Sequence, residues 1–342
     1  MTDSGKDPAH PWFPSCRLDA LKVRAEAYAQ IRAFFYQRQV LEVDTPLLSS
    51  STATDPFLAS VPAFLRQSFG ETSKPFYLHT SPEFPMKRLL AAGSGAIYQL
   101  CKCFRDGESG HRHNPEFTML EWYRPGFSLG QLMAEVAELV STVLVPVKPS
   151  LKHISYRQAF QLYLGIDPFT LPDSQLRELA VDKTGYTPSE SDESLLSRDD
   201  YLNLLLSACI EPKLGFDDKG APELCFLSGY PASQASLAKL TQDESGQSVA
   251  ERFELYIQGL EIANGYFELT DAQEQARRFQ QDNRQRQHLQ LPEIALDTRL
   301  LAALESGLPE CSGVALGVDR LLMIKLQANS IDEVLSFPIR LA

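Results

Sequence analysis

Residues 104–124, FRDGESGHRHNPEFTMLEWYR, mix Arg105, Arg112 and Arg124 with two histidines and with Glu108, Glu116 and Glu121, around the aromatic Phe117. Guanidinium groups grip phosphate oxygens in a bidentate fork, and an aromatic face can stack on a nucleobase. Such a stretch is either a solvated surface loop or a site for something that carries both phosphates and an ammonium group. Two further stretches bear on the choice. ERFELYIQGLEIANGYFEL (251–269) supplies Glu254 and Glu261, carboxylates of the kind a phosphate-bridging Mg²⁺ requires. SGVALGVDRLLM (312–323) supplies Arg320 at a helix start, after the small residues Gly313, Ala315 and Gly317 that let a ligand approach the backbone closely. Taken singly, each has a plainer reading: a surface arginine at a helix start, or solvated carboxylates at a sheet edge.

The elements that must position these residues are legible from periodicity. Leu21, Ala25, Tyr28, Ile31 and Phe35 fall at helical spacing and predict an amphipathic helix over Leu18 to Gln39. Val40 to Val43 suit a strand that Pro46 limits. SSSTATDPF (49–57) is a polar, turn-rich loop, FYLHTSPEF is strand and loop, and PMKRLLAAG is a short helix closed by Gly93. AIYQLCKCFRD enters the charged loop as a strand and FTMLEWYR leaves it as another, which makes a strand, long loop, strand hairpin. A helix is expected at roughly 128–145. Residues 165–220 are rich in Ser, Asp, Glu and Pro and read as a helical insertion, in which SESDESLLSRDD is a solvated helix-capping linker. LCFLSGYP resumes strand character, residues 251–269 read as two strands around a turn, and DAQEQARRFQQDNRQRQHL is an exposed helix. The C-terminal SGVALGVDRLLMIKL is a strand running into a helix. No internal repeat is present, and the pattern predicts an α+β fold with a largely antiparallel sheet flanked by helices.

Bulk properties narrow the function classes. The 342 residues suffice for one large domain or two modest ones. Hydrophobic residues at 44% and charged ones at 22% fit an ordinary globular protein. A net charge of −12 counts against a surface that tracks nucleic acid widely. No apolar run approaches the roughly 20 residues that span a bilayer, so no membrane role is expected. The start, MTDSGKDPAHPWFPS, lacks secretory character, and residues 1–16 read as a disordered leader. Six scattered cysteines include one C-x-C pair, Cys101 and Cys103; with no second pair this is a poor zinc signature, and core packing is the expected role. The simplest compartment is a reducing cytoplasm.

Together the three stretches resemble the catalytic core of class II aminoacyl-tRNA synthetases, in the lysyl-tRNA synthetase branch. VLEVDTPLL looks like the first class II motif, FRDGESGHRHNPEFTMLEWYR the second and GVALGVDRLLM the third, while ERFELYIQGLEIANGYFEL matches the branch signature. The resemblance covers nearly everything from about residue 17 and is weakest over 165–220, so 17–342 is expected to be one catalytic domain. It implies that Arg105 binds an amino-acid carboxylate and the α-phosphate of ATP, with Arg112, His113 and Asn114 shaping the ATP loop. It implies that Phe117 stacks on adenine, Arg320 holds the γ-phosphate, and Glu254 and Glu261 carry Mg²⁺, with Leu255 and Gly317 beside the nucleotide. Glu83 and Glu268 would neutralise the two ammonium groups of a lysine-like substrate. Ser81, Glu121, Tyr123, Asn264, Tyr266 and Ala315 would complete its pocket. The synthetases usually carry Asn-Glu directly after FR, where this chain has Asp106 and Gly107 before Glu108, so either acid is a candidate for the nucleotide contact.

The core helix begins near residue 17, which leaves no room for an anticodon-binding barrel. That layout resembles the elongation factor P β-lysine ligase family. It implies that (R)-β-lysine is activated by ATP and transferred to a lysine of elongation factor P, with no tRNA and a homodimer formed through VLEVDTP. Ala315 stands where the tRNA synthetases generally have glycine, either as a determinant of (R)-β-lysine preference or as neutral packing drift. The rival expectations are a stand-alone lysyl-tRNA synthetase-like ligase and a catalytically inactive regulatory relative.

Overall fold

A computed structural model of the chain describes residues 12–342 except 67, 69–72, 148 and 187–195. Most of the leader read over 1–16, and the first part of SESDESLLSRDD, lie outside the described residues. The strands are Leu41–Glu42 (β1), Leu48–Ser49 (β2), Pro62–Leu65 (β3), Lys74–Leu78 (β4), Ile97–Phe104 (β5) and Glu116–Pro125 (β6). They continue with Ser150–Ser155 (β7), Glu223–Pro231 (β8), Leu240–Gln242 (β9), Ser248–Ile257 (β10), Leu260–Phe267 (β11) and Cys311–Gly317 (β12). The α-helices are Leu18–Gln37 (α1), Glu83–Ala91 (α2), Leu129–Leu144 (α3), Tyr156–Leu164 (α4), Asp173–Thr184 (α5), Arg198–Leu205 (α6), Ala272–His288 (α7), Thr298–Gly307 (α8) and Val318–Leu326 (α9).

The main sheet runs β1-β5-β6-β12-β11-β10-β8-β7, with β9 added on β10. Only β1 on β5 and β7 on β8 are parallel; the other pairings are antiparallel. A smaller sheet, β2-β4-β3, stands apart. This is the α+β architecture that the strand and helix pattern implies.

Period-two alternation gives the main sheet a dry face and a polar one. On the dry side Tyr98, Leu120, Trp122, Phe253, Leu255, Val314 and Leu316 join one core with α1, α3 and α9. Phe35 of α1 anchors that layer, its ring stacked on Tyr98 at 4.3 Å and edge-on to Trp122 at 5.4 Å. Helix α3 starts with a full capping box between Ser128 and Gln131. A second core forms where α4, α5 and α6 meet β8 and β10. A third joins α2, α7 and α8 beneath Ile97 and Tyr123.

One expectation needs correction. The helix α7 is not exposed all round: Gln275, Phe279, Asn283 and Arg286 are buried on one face. Its polar residues bond to loop backbone in place of water, Asn283 clasping Ile294 through both N–H and C=O and Arg286 donating to Pro292 O. Within 165–220, Leu176, Ala180, Tyr201, Leu202 and Leu205 bury into the second core. The described end of SESDESLLSRDD does cap a helix, with Ser197 and Asp200 forming a capping box at α6.

A buried ion pair fixes the third motif against the second. Asp319, 1% exposed, accepts from Arg24 of α1 at 2.6 Å through one oxygen and from the Thr118 N–H of β6 at 2.6 Å through the other. Removing one partner of such a pair leaves an uncompensated buried charge. Asp319→Ala is expected to lower unfolding free energy by about 3–5 kcal/mol in denaturant titration. A loss below about 1 kcal/mol would show that the pair does not hold α9.

A polar cleft as the candidate functional site

The polar face of the sheet opens into a cleft of about 1850 Å³. Lining it are Ser81, Glu83, Arg105, Glu108, Arg112, His113, Asn114, Phe117, Glu121, Tyr123, Glu254, Glu261, Asn264, Tyr266, Glu268, Ala315, Gly317 and Arg320. Two expected residues do not face it. Leu255 points to the dry side, fully buried in the core, because it alternates with Glu254 along β10. Asp106 is exposed, its N–H bonded to Ala59 O, while Glu108 turns inward and pairs with Arg105 at 3.5 Å. Glu108 is therefore the acid that meets the cleft.

Glu261 reaches the cleft through a β-bulge. Leu255 opposes Ala263 and Tyr256 opposes Glu261, so Ile262 is an extra residue in β11. Strict alternation from Asn264 and Tyr266 would aim Glu261 at the dry core; the bulge turns it back. There it accepts from Arg320 at 3.3 Å. Arg320 also contacts the Glu261 carbonyl at 3.0 Å and His113 Nε2 at 2.6 Å, so the second and third motifs close on one another. Arg105 lies over the Phe117 ring at 5.1 Å, with its buried Nε lacking a partner. Arg112 donates to Gly259 O in the β10–β11 turn, and Asn114 ties Glu116 O to the Ile339 N–H. Asn114 is thus a structural tie at the cleft wall.

At one end of the cleft sits a carboxylate group that the sequence reading only partly foresaw. Glu254 accepts from Tyr230 (2.6 Å) and Tyr256 (2.5 Å) on one oxygen, and from Arg252 (2.5 Å) and Asn264 (3.2 Å) on the other. All four of its acceptor positions are taken. Glu211, not anticipated, lies beside it, its Oε1 3.1 Å from the Tyr256 hydroxyl oxygen. Burial, then the charges of Glu254 and Glu261, push Glu211 up to about 7. Burial and Glu254 likewise raise Glu261, against the pull of Arg320. Carboxyls that ionise reluctantly beside one another are a donor set that a divalent cation would relieve.

At the other end, Lys87 was missed. It is 2% exposed and bridges Glu83 and Glu268, each at 2.6 Å. Neither carboxylate stands free: with both ionised, the trio carries one net negative charge. The signal lay in the sequence, since Lys87 follows Glu83 by one helical turn on the face of Met86 and Leu90. Glu121 is the other acid at this end. That group accepts from Ser81 at 2.6 Å and Tyr123 at 2.7 Å, and burial, then the Glu83 charge, push it up to about 8. Gly313 keeps this end open, because a Cβ there would stand 2.4 Å from both Glu268 Oε1 and the Tyr123 ring. Ala315 lies in register between Glu121 and Asn264.

The chain is similar to known proteins. A family model for class II tRNA synthetases (D, K and N) matches residues 16–340. The chain belongs to that class. Among curated proteins, an elongation factor P--(R)-beta-lysine ligase of Mannheimia succiniciproducens is 48% identical over 95% of this chain and 97% of that protein. Proteins of the same name from Hamiltonella defensa and Pasteurella multocida are each 47% identical, covering 97% and 96% of this chain and 98% and 97% of theirs. Within the class, the chain is a member of this ligase family. Among the described residues no helix is long and apolar enough to cross a membrane.

Two outcomes follow from the buried charges. Lys87→Met leaves Glu83 and Glu268 facing each other without a cation, and should cost about 3–5 kcal/mol of stability, recovered in part by adding Glu268→Gln. Failure of the second change to recover any of the loss, read by thermal unfolding, would sink the assignment. The second outcome concerns protons. Glu121, raised to about 8, keeps its proton at pH 7 and must release it to meet an ammonium group. Calorimetric titration of (R)-β-lysine at pH 7, in buffers of different ionisation enthalpy, should show net proton release that fades above about pH 9 and diminishes in Glu121→Gln. Buffer-independent heats would refute it.

Proposed function

We propose that this protein activates (R)-β-lysine with ATP as the adenylate and transfers it to the ε-amino group of a specific lysine of elongation factor P. The observation that carries the reading is the cleft itself. Arginines for phosphates lie at its centre, one carboxylate cluster lies at the nucleotide end, and a second lies at the other, where Glu121 and the Glu83–Lys87–Glu268 trio hold two negative charges once Glu121 and Glu268 are both ionised. Two charges suit a diammonium amino acid, since buried ammonium groups need paired anions. The names of the relatives support the same substrate pair.

In the first step the amino-acid carboxylate oxygen attacks the α-phosphorus, the bond to the β-phosphate oxygen breaks, and pyrophosphate leaves. Arg105, its Nε without a protein partner, would hold the carboxylate and α-phosphate, with Phe117 against adenine and Arg320 on the γ-phosphate. Glu261 and Glu211 would hold Mg²⁺, joined by Glu254 if it releases one of its four donors; the ion supplies charge neutralisation to the phosphates. In the second step the deprotonated acceptor amine attacks the acyl carbon, the amide forms, and AMP leaves with the bonding electrons. No side-chain nucleophile is needed; positioning and electrostatic stabilisation are the means. The methyl of Ala315 narrows the pocket between Glu121 and Asn264, which favours the β isomer. A homodimer through α1 and β1 is part of the proposal, since Tyr36 and Leu41 are 84% and 57% exposed there. A cytoplasmic setting and independence from tRNA are part of it as well.

Intact-mass measurement of elongation factor P and of lysine tRNA tests this. Each is incubated with the protein, ATP, Mg²⁺ and either α-lysine or (R)-β-lysine. A single lysyl increment on elongation factor P, larger with the β isomer, is expected. Charging of the tRNA in its place would overturn the acceptor assignment, and modification of neither would favour a non-catalytic role.

A further inference from the structure

Beneath the cleft, four soft or borderline donors converge from three backbone segments. Cys101 and Cys103 point to the same face of β5, two residues apart. Met119 stands opposite Cys101 in register on β6. His79, just past β4, is bound into the same framework by the Phe104 N–H, which donates to its carbonyl at 3.0 Å. The His79 Nε2 lies 3.9 Å from Cys101 Sγ and 3.8 Å from Cys103 Sγ, and Cys103 Sγ lies 3.8 Å from Met119 Sδ. The three donor atoms of His79, Cys101 and Cys103 fall within 4.8 Å of one another.

Those separations have a physical reading. Four ligands around a tetrahedral ion with metal–sulfur bonds of about 2.3 Å stand about 3.8 Å apart. A disulfide fits poorly, because residues i and i+2 of a regular strand keep their Cβ atoms farther apart than the roughly 3.5–4.5 Å a disulfide requires. We infer that His79, Cys101, Cys103 and Met119 form a binding site for one thiophilic closed-shell metal ion, Zn²⁺ or Cu⁺. Two thiolates neutralise Zn²⁺, while the thioether is a ligand that Cu⁺ accepts readily. Ligation sets the histidine tautomer. Without metal, Nε2 lies 2.8 Å from Lys102 O, an atom that only accepts, so Nε2 carries the proton. Metal binding gives that lone pair to the ion and moves the proton to Nδ1, which is buried and without a partner. His79 and Met119 also line the cleft, so an ion reaches the site from that side and ties together the strands that carry Arg105 and Phe117.

The test is Co²⁺ titration of the whole reduced protein under anaerobic conditions, followed by its thiolate-to-cobalt charge-transfer absorbance. One equivalent should saturate the band, and one equivalent of Zn²⁺ or of Cu⁺ should bleach it, the tighter ion identifying the occupant. The band should vanish in Cys101→Ser and in Cys103→Ser and weaken in His79→Gln. Because Cys101 is partly exposed, Cys101→Ser should retain the fold, which circular dichroism checks. A missing band in the parent protein, or a band that survives the Cys101→Ser/Cys103→Ser double variant, would overturn the site. Neither result touches the amino-acid activation reading, which the mass measurement tests separately.

Discussion

Buried charge on one face of the sheet is the constraint around which the rest of the molecule is arranged. Glu121, Glu254 and Glu268 are all at least 93% buried, and Lys87 is 98% buried. None can draw on bulk water, so each must find compensation inside the protein. Arg252, Tyr230, Tyr256 and Asn264 supply it for Glu254; Lys87 supplies it for Glu83 and Glu268. Glu121 finds only hydroxyls, and so it keeps its proton. The opposite face packs Trp122, Phe253 and Leu316 against three helices, which gives the strands the rigidity to hold such charges in place.

Precision in the cleft then depends on how motifs distant in sequence are tied. Asp319 is adjacent to Arg320 and anchors to both Arg24 and the β6 backbone. The arginine that follows is thereby aimed at Glu261 and His113 by a carboxylate that never touches the cleft's centre. The Gly259 turn does similar service from the other side, where its carbonyl receives Arg112.

Local signals made much of this visible in advance. The hairpin around 104–124, the strand-to-helix run at 312–323 and the helix from Leu18 each carry a regular period and a clear stop, and each is found. What stayed hidden is what depends on tertiary register. Nothing in ERFELYIQGLEIANGYFEL announces that Ile262 is an extra residue, yet without that bulge Glu261 would face the core. Glu211 looked like part of a polar insertion, because its partners Tyr256 and Glu254 are more than forty residues away. Helix α7 read as exposed because its composition is polar; its buried face is satisfied by loop backbone, which composition does not report.

The reluctant carboxyls also link folding to ligand binding. Glu121, Glu211 and Glu268 have folded values near 8, 7 and 7, above the ordinary 4.5, so the native protein holds protons that the unfolded chain would release. Their contribution to stability is therefore fully present below the ordinary carboxylate range. It is lost as pH rises through about 7 to 8, where the folded protein must ionise them against burial and neighbouring charge. A cation at either end reverses that cost: an ammonium group beside Glu121, or a divalent ion beside Glu211 and Glu261. Above that range the ionised carboxyls repel one another, and a cation beside them lowers the cost of their charge.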